Sequence, residues 1–130
     1  GTGQTPTLAG CLRNYQAVAA AATTYGRKIA LIPAGERWRA DGSLRPAYED
    51  WLGAGAIISQ LRGRRSPEAR AAQAAFQDAQ AQITELFSAC ASGQEHIEQG
   101  LMENVVLAAT MNGSECVPLL VDNAYRHVKH

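Results

Sequence analysis

Apolar positions along the chain fall into short runs separated by long stretches of helical period. "TPTLAGCL", Thr5 to Leu12, is an apolar run with Pro at its front edge. "RNYQAVAAAATTYG", which follows at once, repeats Ala and Val at helical spacing and stops at Gly26, a residue suited to a left-handed helix end. "RKIALIPAG" then supplies a β-branched and aliphatic run, Ile29 to Ile32, closed by Pro33 and Gly35. Strand, helix and strand in this order predict a βαβ unit with parallel strands and a right-handed crossover.

Beyond a charged loop, Pro46 suits the first turn of a helix, and "AYEDWLGAGAIISQLRG" carries Trp51, Leu52, Ile57, Ile58 and Leu61 on a broad apolar face. Gly53 and Gly55 weaken that helix, so they are read as marking close approach of another backbone or a ligand. Ser66 and Pro67 read as cap and first residue of a long helix whose Ala72, Phe76, Ala79, Ile83 and Leu86 recur at threes and fours. "SGQE", Ser92 to Glu95, matches a capping box that opens a further helix, interrupted near Gly100 and ending at Asn112 and Gly113. "ECVPLLVD" predicts a third strand, with His127 and His130 in a polar tail. The fold class expected is α/β, a helix-rich three-layer α/β/α arrangement around a mostly parallel sheet.

Composition narrows the function classes. A length of 130 residues fits one domain, or a portion of one, and a formal net charge of zero gives no global pull toward nucleic acid or an anionic membrane. The opening "GTGQTPTLAG" lacks the pattern of a secretory signal, and no segment approaches a membrane span, so a cytoplasmic protein is expected. Cys11, Cys90 and Cys116 lack CxxC spacing and read as buried free thiols in a reducing compartment. Catalysis by histidine is set aside, since His96, His127 and His130 have no ligand partner at useful spacing.

Charge is concentrated rather than spread. Four of the twelve acidic residues, Glu36, Asp41, Glu49 and Asp50, share one stretch with Arg37, Arg39 and Arg45. In open α/β sheets ligands gather at the carboxyl ends of strands, and Arg13 and Asn14 follow the first expected strand as Glu36 and Arg37 follow the second. Guanidinium forks suit phosphate, carboxylate or sulfonate, and carboxylate oxygens suit Mg²⁺. Together they suit phosphoryl chemistry; surface ion pairs on a long loop are the plainer alternative. Ser43, in the turn "DGSL", lacks the elbow of a hydrolase nucleophile and reads as a cap or an anion contact. Trp38 and Trp51 read as packing residues.

Taken in order, "LAGCLRN", "IPAGERW", "DGSLRPAYEDWLGAGAII", "SPEARAA", "SGQEHIEQG" and "ECVPLL" resemble the later part of the 2-phosphosulfolactate phosphatase family, the ComB-like enzymes of coenzyme M biosynthesis. The resemblance implies a Mg²⁺-dependent phosphatase that converts 2-phospho-3-sulfolactate to 3-sulfolactate and phosphate, with residues 1–130 as its C-terminal portion. Carried over motif by motif, it implies Glu36, Arg37 and Asp50 as catalytic, and Arg13, Asn14, Ser43 and Arg45 as substrate-binding. Glu36, Asp41, Glu49 and Asp50 become the metal ligands. Without the family's N-terminal part, the site is expected to be incomplete, with an exposed sheet edge and association with another copy or with the missing part. A non-catalytic anion-binding or assembly fragment is the competing expectation.

Overall fold

A computed structural model describes residues 5–129. Its elements are α1 (Tyr15–Tyr25), β1 (Glu36–Arg37), β2 (Leu44–Arg45), α2 (Tyr48–Gln60), α3 (Pro67–Ala79), α4 (Ile83–Ala89), α5 (Ala91–Glu98), α6 (Met102–Ala108), β3 (Pro118–Val121) and β4 (Ala124–His127), with a 3₁₀ turn, Gln80–Gln82, between α3 and α4. Helices dominate, as expected, but among the described residues no two strands pair in parallel. The described strands make two antiparallel pairs, β1 with β2 and β3 with β4.

The core is organised around α2, which is buried continuously from Leu52 to Ile58. Apolar side chains from α1 (Tyr15, Val18), α2 (Leu52, Ile57), α3 (Phe76), α4 (Phe87) and α6 (Val105) meet in one cluster. Each large aliphatic or aromatic group so buried contributes about 1.5–3 kcal/mol relative to exposure. Tyr15 meets Phe76 edge to face at 5.6 Å, and Tyr48 meets Phe87 in the same way at 6.1 Å. These contacts tie α1 to α3 and α2 to α4.

The close approach read from the α2 glycines is to backbone. A Cβ at Gly53 would lie 3.6 Å from the Cys11 Cα, an ordinary contact, whereas one at Gly55 would overlap the Ala72 carbonyl of α3 and stand 2.9 Å from the Phe76 Cβ. The Ser66 cap is also as read, its hydroxyl accepting from the Ala69 amide at 3.1 Å. The break near Gly100 is present, with φ of +75° between α5 and α6.

Several expectations are corrected. Among the described residues, Lys28 to Ala34 make no backbone hydrogen bond, and Ile32 is 88% exposed. A β-branched run becomes a strand only with a partner, and none reaches it here. Thr7 to Ala9 instead bridges β3 antiparallel, through Leu8 and Leu119. Gly26 ends α1 in an extended rather than left-handed conformation. The 3₁₀ turn divides the long helix expected after Pro67. The expected tail holds β4, joined to β3 through Asp122 and Asn123, whose φ of +50° and +65° give the hand a two-residue hairpin requires. His127 is in that strand, its Nδ1 accepting from the Val117 amide at 3.1 Å. His130 lies outside the described residues. Of the three thiols expected to be buried, Cys11 and Cys116 are exposed. Among the described residues no helix is long and apolar enough to cross a membrane.

Gly55→Ala should destabilise the fold by about 1–3 kcal/mol through overpacking against α3. Gly53→Ala, which removes a helix glycine without a clash, should be neutral or slightly stabilising. Urea unfolding midpoints read both, and equal effects at the two positions would refute the backbone-contact account.

Candidate functional site

The charged stretch folds as a hairpin against the start of α2. Gly35 enters it with φ of +77°, and a Cβ there would come within 2.9 Å of the Arg45 carbonyl oxygen. Its amide donates to Asp50 Oδ2 at 2.9 Å, fastening the hairpin to the first turn of α2. Glu36 pairs with Arg45 and Arg37 with Leu44. The Trp38 amide extends the ladder to the Ser43 carbonyl at 2.8 Å, leaving Arg39 to Gly42 as the tip.

Arg45 faces inward and is 4% exposed. Its Nη2 donates to Ser92 Oγ at 3.2 Å and to Glu95 Oε2 at 3.3 Å, and its guanidinium carbon lies 4.9 Å from the centre of the Trp38 ring. This is the one ion pair among the described residues. Ser92 and Glu95 therefore do not form the expected capping box, since α5 starts two residues earlier with Cys90 as its cap. Residues three apart share a helix face, so the spacing that suggested a cap serves a guanidinium from another element equally well.

Between the hairpin and α5 opens a cleft of about 620 Å³, lined by Glu36, Arg37, Arg39, Glu95, His96 and Gln99 together with Ala34, Gly35 and Leu44. Trp38 turns toward Arg45, while Glu36, Arg37 and Arg39 border the cleft. Arg37 Nη1 donates to the Gly42 carbonyl at 2.8 Å. Neither Arg37 nor Arg39 has a carboxylate partner among the described residues, and Glu95 is already engaged by Arg45. A neighbouring cavity of about 820 Å³, bordered by Ile29, Leu31, Pro33, Trp51, Ile58 and Ala72, is too apolar for a small polyanion.

The sequence candidates separate into groups. Glu36 and Arg37 line the cleft. Asp50 stands behind it, with its carboxyl raised above the ordinary value by burial, against the opposing effect of the Gly35 amide, and raised further by the charges of Glu49 and Glu36. Glu49 has one buried oxygen without a partner. Asp41 and Ser43 engage each other at the hairpin tip, where the Ser43 hydroxyl at 2.6 Å and its amide at 2.9 Å hold the Asp41 carboxyl below the usual value. Neither borders the cleft.

Arg13 and Asn14 lie elsewhere. Arg13 Nη1 donates to the Leu107 carbonyl at 3.3 Å, and the buried Asn14 bonds to the backbone of Cys11 and Cys116. With Ile29 to Ile32 unpaired among the described residues, the shared crevice expected for these residues and Glu36 does not assemble there. Arg39, Glu95, His96 and Gln99 were missed as cleft residues. Arg39 was legible in principle, two positions from Arg37 in the same charged stretch; the α5 residues depend on tertiary docking. No three His, Cys, Asp or Glu side chains converge to hold a metal among the described residues.

The family model described as 2-phosphosulpholactate phosphatase matches residues 2–123. A protein of Gloeobacter violaceus named "Probable 2-phosphosulfolactate phosphatase" is 32% identical over 84 residues, covering 65% of this chain and 34% of that relative. The match thus spans about a third of the curated relative's length.

Glu95→Ala should cost about 3 kcal/mol, since it strands a buried guanidinium, while Arg45→Met should cost less because Glu95, with 30% of its side chain exposed, can hydrate. The double variant should lose less than the two single losses combined. Simple additivity in unfolding free energies would mean that the pair does not join hairpin to helix. For Asp50, a folded-state pKa above the unfolded one gives a contribution present below the unfolded pKa and lost as pH rises through the folded pKa. Asp50→Asn keeps an oxygen for Gly35, and should gain stability relative to wild type as pH rises from about 4 to about 7. A pH-independent difference between their urea midpoints would overturn that reading.

Proposed function

Because the chain belongs to the 2-phosphosulpholactate phosphatase family, we propose that its arginine-lined cleft takes a small phosphorylated acid and contributes to hydrolysis of the phosphate ester, with 2-phospho-3-sulfolactate as substrate. The observation that carries this reading is the cleft itself, where Arg37 and Arg39 face open space without carboxylate partners among the described residues. Planar guanidinium groups suit phosphate, sulfonate and carboxylate oxygens alike, so several arginines in one cleft suit a substrate with several anionic groups.

In the proposed reaction Arg37 and Arg39 bind and neutralise phosphate oxygens, and Glu36 orients the attacking water. The water oxygen bonds to phosphorus as the ester P–O bond breaks, and the leaving oxygen acquires a proton to give the hydroxy acid. Asp50 acts by positioning, through the Gly35 amide. Mg²⁺, where bound, would supply charge neutralisation at the phosphate. The described residues do not gather a ligand set for it, and Glu36 is the carboxylate lining the cleft that carries no ion pair. That observation also favours a second reading, in which this chain is an anion-binding part of such an enzyme and chemistry needs further groups.

Phosphate release from 2-phosphosulfolactate with and without Mg²⁺, beside calorimetry with inorganic phosphate, tests both. Glu36→Gln should lower turnover about a hundredfold with the fold intact, and Arg37→Met should weaken phosphate binding as well. Binding without release in the wild type would leave the anion-binding reading, and neither binding nor release would remove both.

A further inference from the structure

The cleft has two walls of different chemistry. The hairpin supplies the cationic one, with Arg37 and Arg39, and α5 supplies the other, with Glu95, His96 and Gln99. Arg45 already holds the Glu95 carboxylate at 3.3 Å, which offsets its charge. His96 and Gln99, three positions apart at the end of α5 and both bordering the cleft, are the groups this wall has left to offer a ligand. Among the described residues neither side chain makes a hydrogen bond, whereas Gln94 on the same helix donates to the Ser88 carbonyl.

The carbonyl end of a helix ordinarily opposes an anion. Here the last carbonyls are covered by amides that follow them. The Gln99 amide donates to the carbonyls of Glu95 and His96 at 3.2 Å, the Gly100 amide to that of Ile97 at 3.0 Å, and the Leu101 amide to that of His96 at 2.8 Å. The side chains at this end therefore set the character of the wall. An imidazole N–H and a carboxamide NH₂ both donate to oxyanions, and neither needs a negative partner within the protein.

We propose that His96 and Gln99 determine specificity by binding a second acidic group of the substrate, a carboxylate or sulfonate, while Arg37 and Arg39 hold the phosphate. This role rests on the phosphorylated-acid reading of the cleft and adds that the two acidic ends are bound from opposite walls. A volume of about 620 Å³ is in the ordinary range for small-molecule sites, enough for one ligand to meet both walls. Hydrogen bonds to a charged group are stronger than those between neutral groups. A phosphorylated compound carrying the second acid is consequently held more tightly than one with an apolar group in its place.

Titration calorimetry with phosphonates tests the proposal, because a C–P bond resists hydrolysis and binding is read alone. 3-Phosphonopropionate carries a carboxylate, and 2-phosphonoethanesulfonate a sulfonate, where propylphosphonate has a methyl group. Wild type should bind at least one acidic probe about tenfold more tightly than propylphosphonate, and the tighter of the two identifies the second acid. His96→Ala combined with Gln99→Ala should abolish that preference and keep the affinity for propylphosphonate, whereas Arg37→Met should weaken all three probes together. No preference in wild type, a preference that survives the double substitution, or a double variant that loses propylphosphonate binding as well would each overturn the assignment. Failure of wild type to bind any of the three would remove the phosphorylated-acid reading of the cleft itself, and this role with it.

Discussion

Contact between the backbones of α2 and α3 at Gly55 is the constraint on which the rest of the architecture depends. A helix buried along seven consecutive residues must be surrounded, and in a chain of this length that leaves space for few partners at short range. Removing the side chain at Gly55 brings α3 against α2, and the ordinary contact at Gly53 seats the lead-in to α1 beside it. Once those neighbours are placed, the first turn of α2 faces outward at one end. There Asp50 receives the hairpin and Tyr48 receives α4.

Features decided by a few adjacent residues were legible in the sequence. Ser66 before Pro67, the break at Gly100 and the two α2 glycines have local physical meanings that tertiary structure did not override. Strand pairing is different in kind, because an apolar β-branched run says that a residue stretch can pair and not with what. Ile29 to Ile32 has the composition of a strand and no neighbour among the described residues, while Leu8 finds its partner more than a hundred positions away at Leu119. The β3–β4 hairpin was more accessible: Asp122 and Asn123 are turn residues suited to positive φ, and the polar composition of Arg126 to Lys129 obscured them.

The site was legible to a similar depth. Arg37 and Glu36 were found because opposite charges concentrated beside a turn suggest an anion site, and both line the cleft. Arg45 was grouped with them by proximity in sequence and stands opposite Glu36 in the hairpin, yet its guanidinium is buried, where Ser92 and Glu95 take its hydrogen bonds. Asp41 and Ser43 satisfy one another at the tip, a local use that competes with any external ligand. Arg13 and Asn14 depended on a parallel arrangement that the described residues do not make.

The hairpin has very little internal structure, with strands of two residues each, and its cleft-facing side chains keep their place because Arg45 reaches across to α5. Docking of α5 and formation of the cleft are consequently one equilibrium. An anion that binds only the formed cleft draws that equilibrium toward the docked helix, so occupancy and local order rise together by mass action. The hairpin would then act as a hinge whose stiffness depends on what lies between it and the helix.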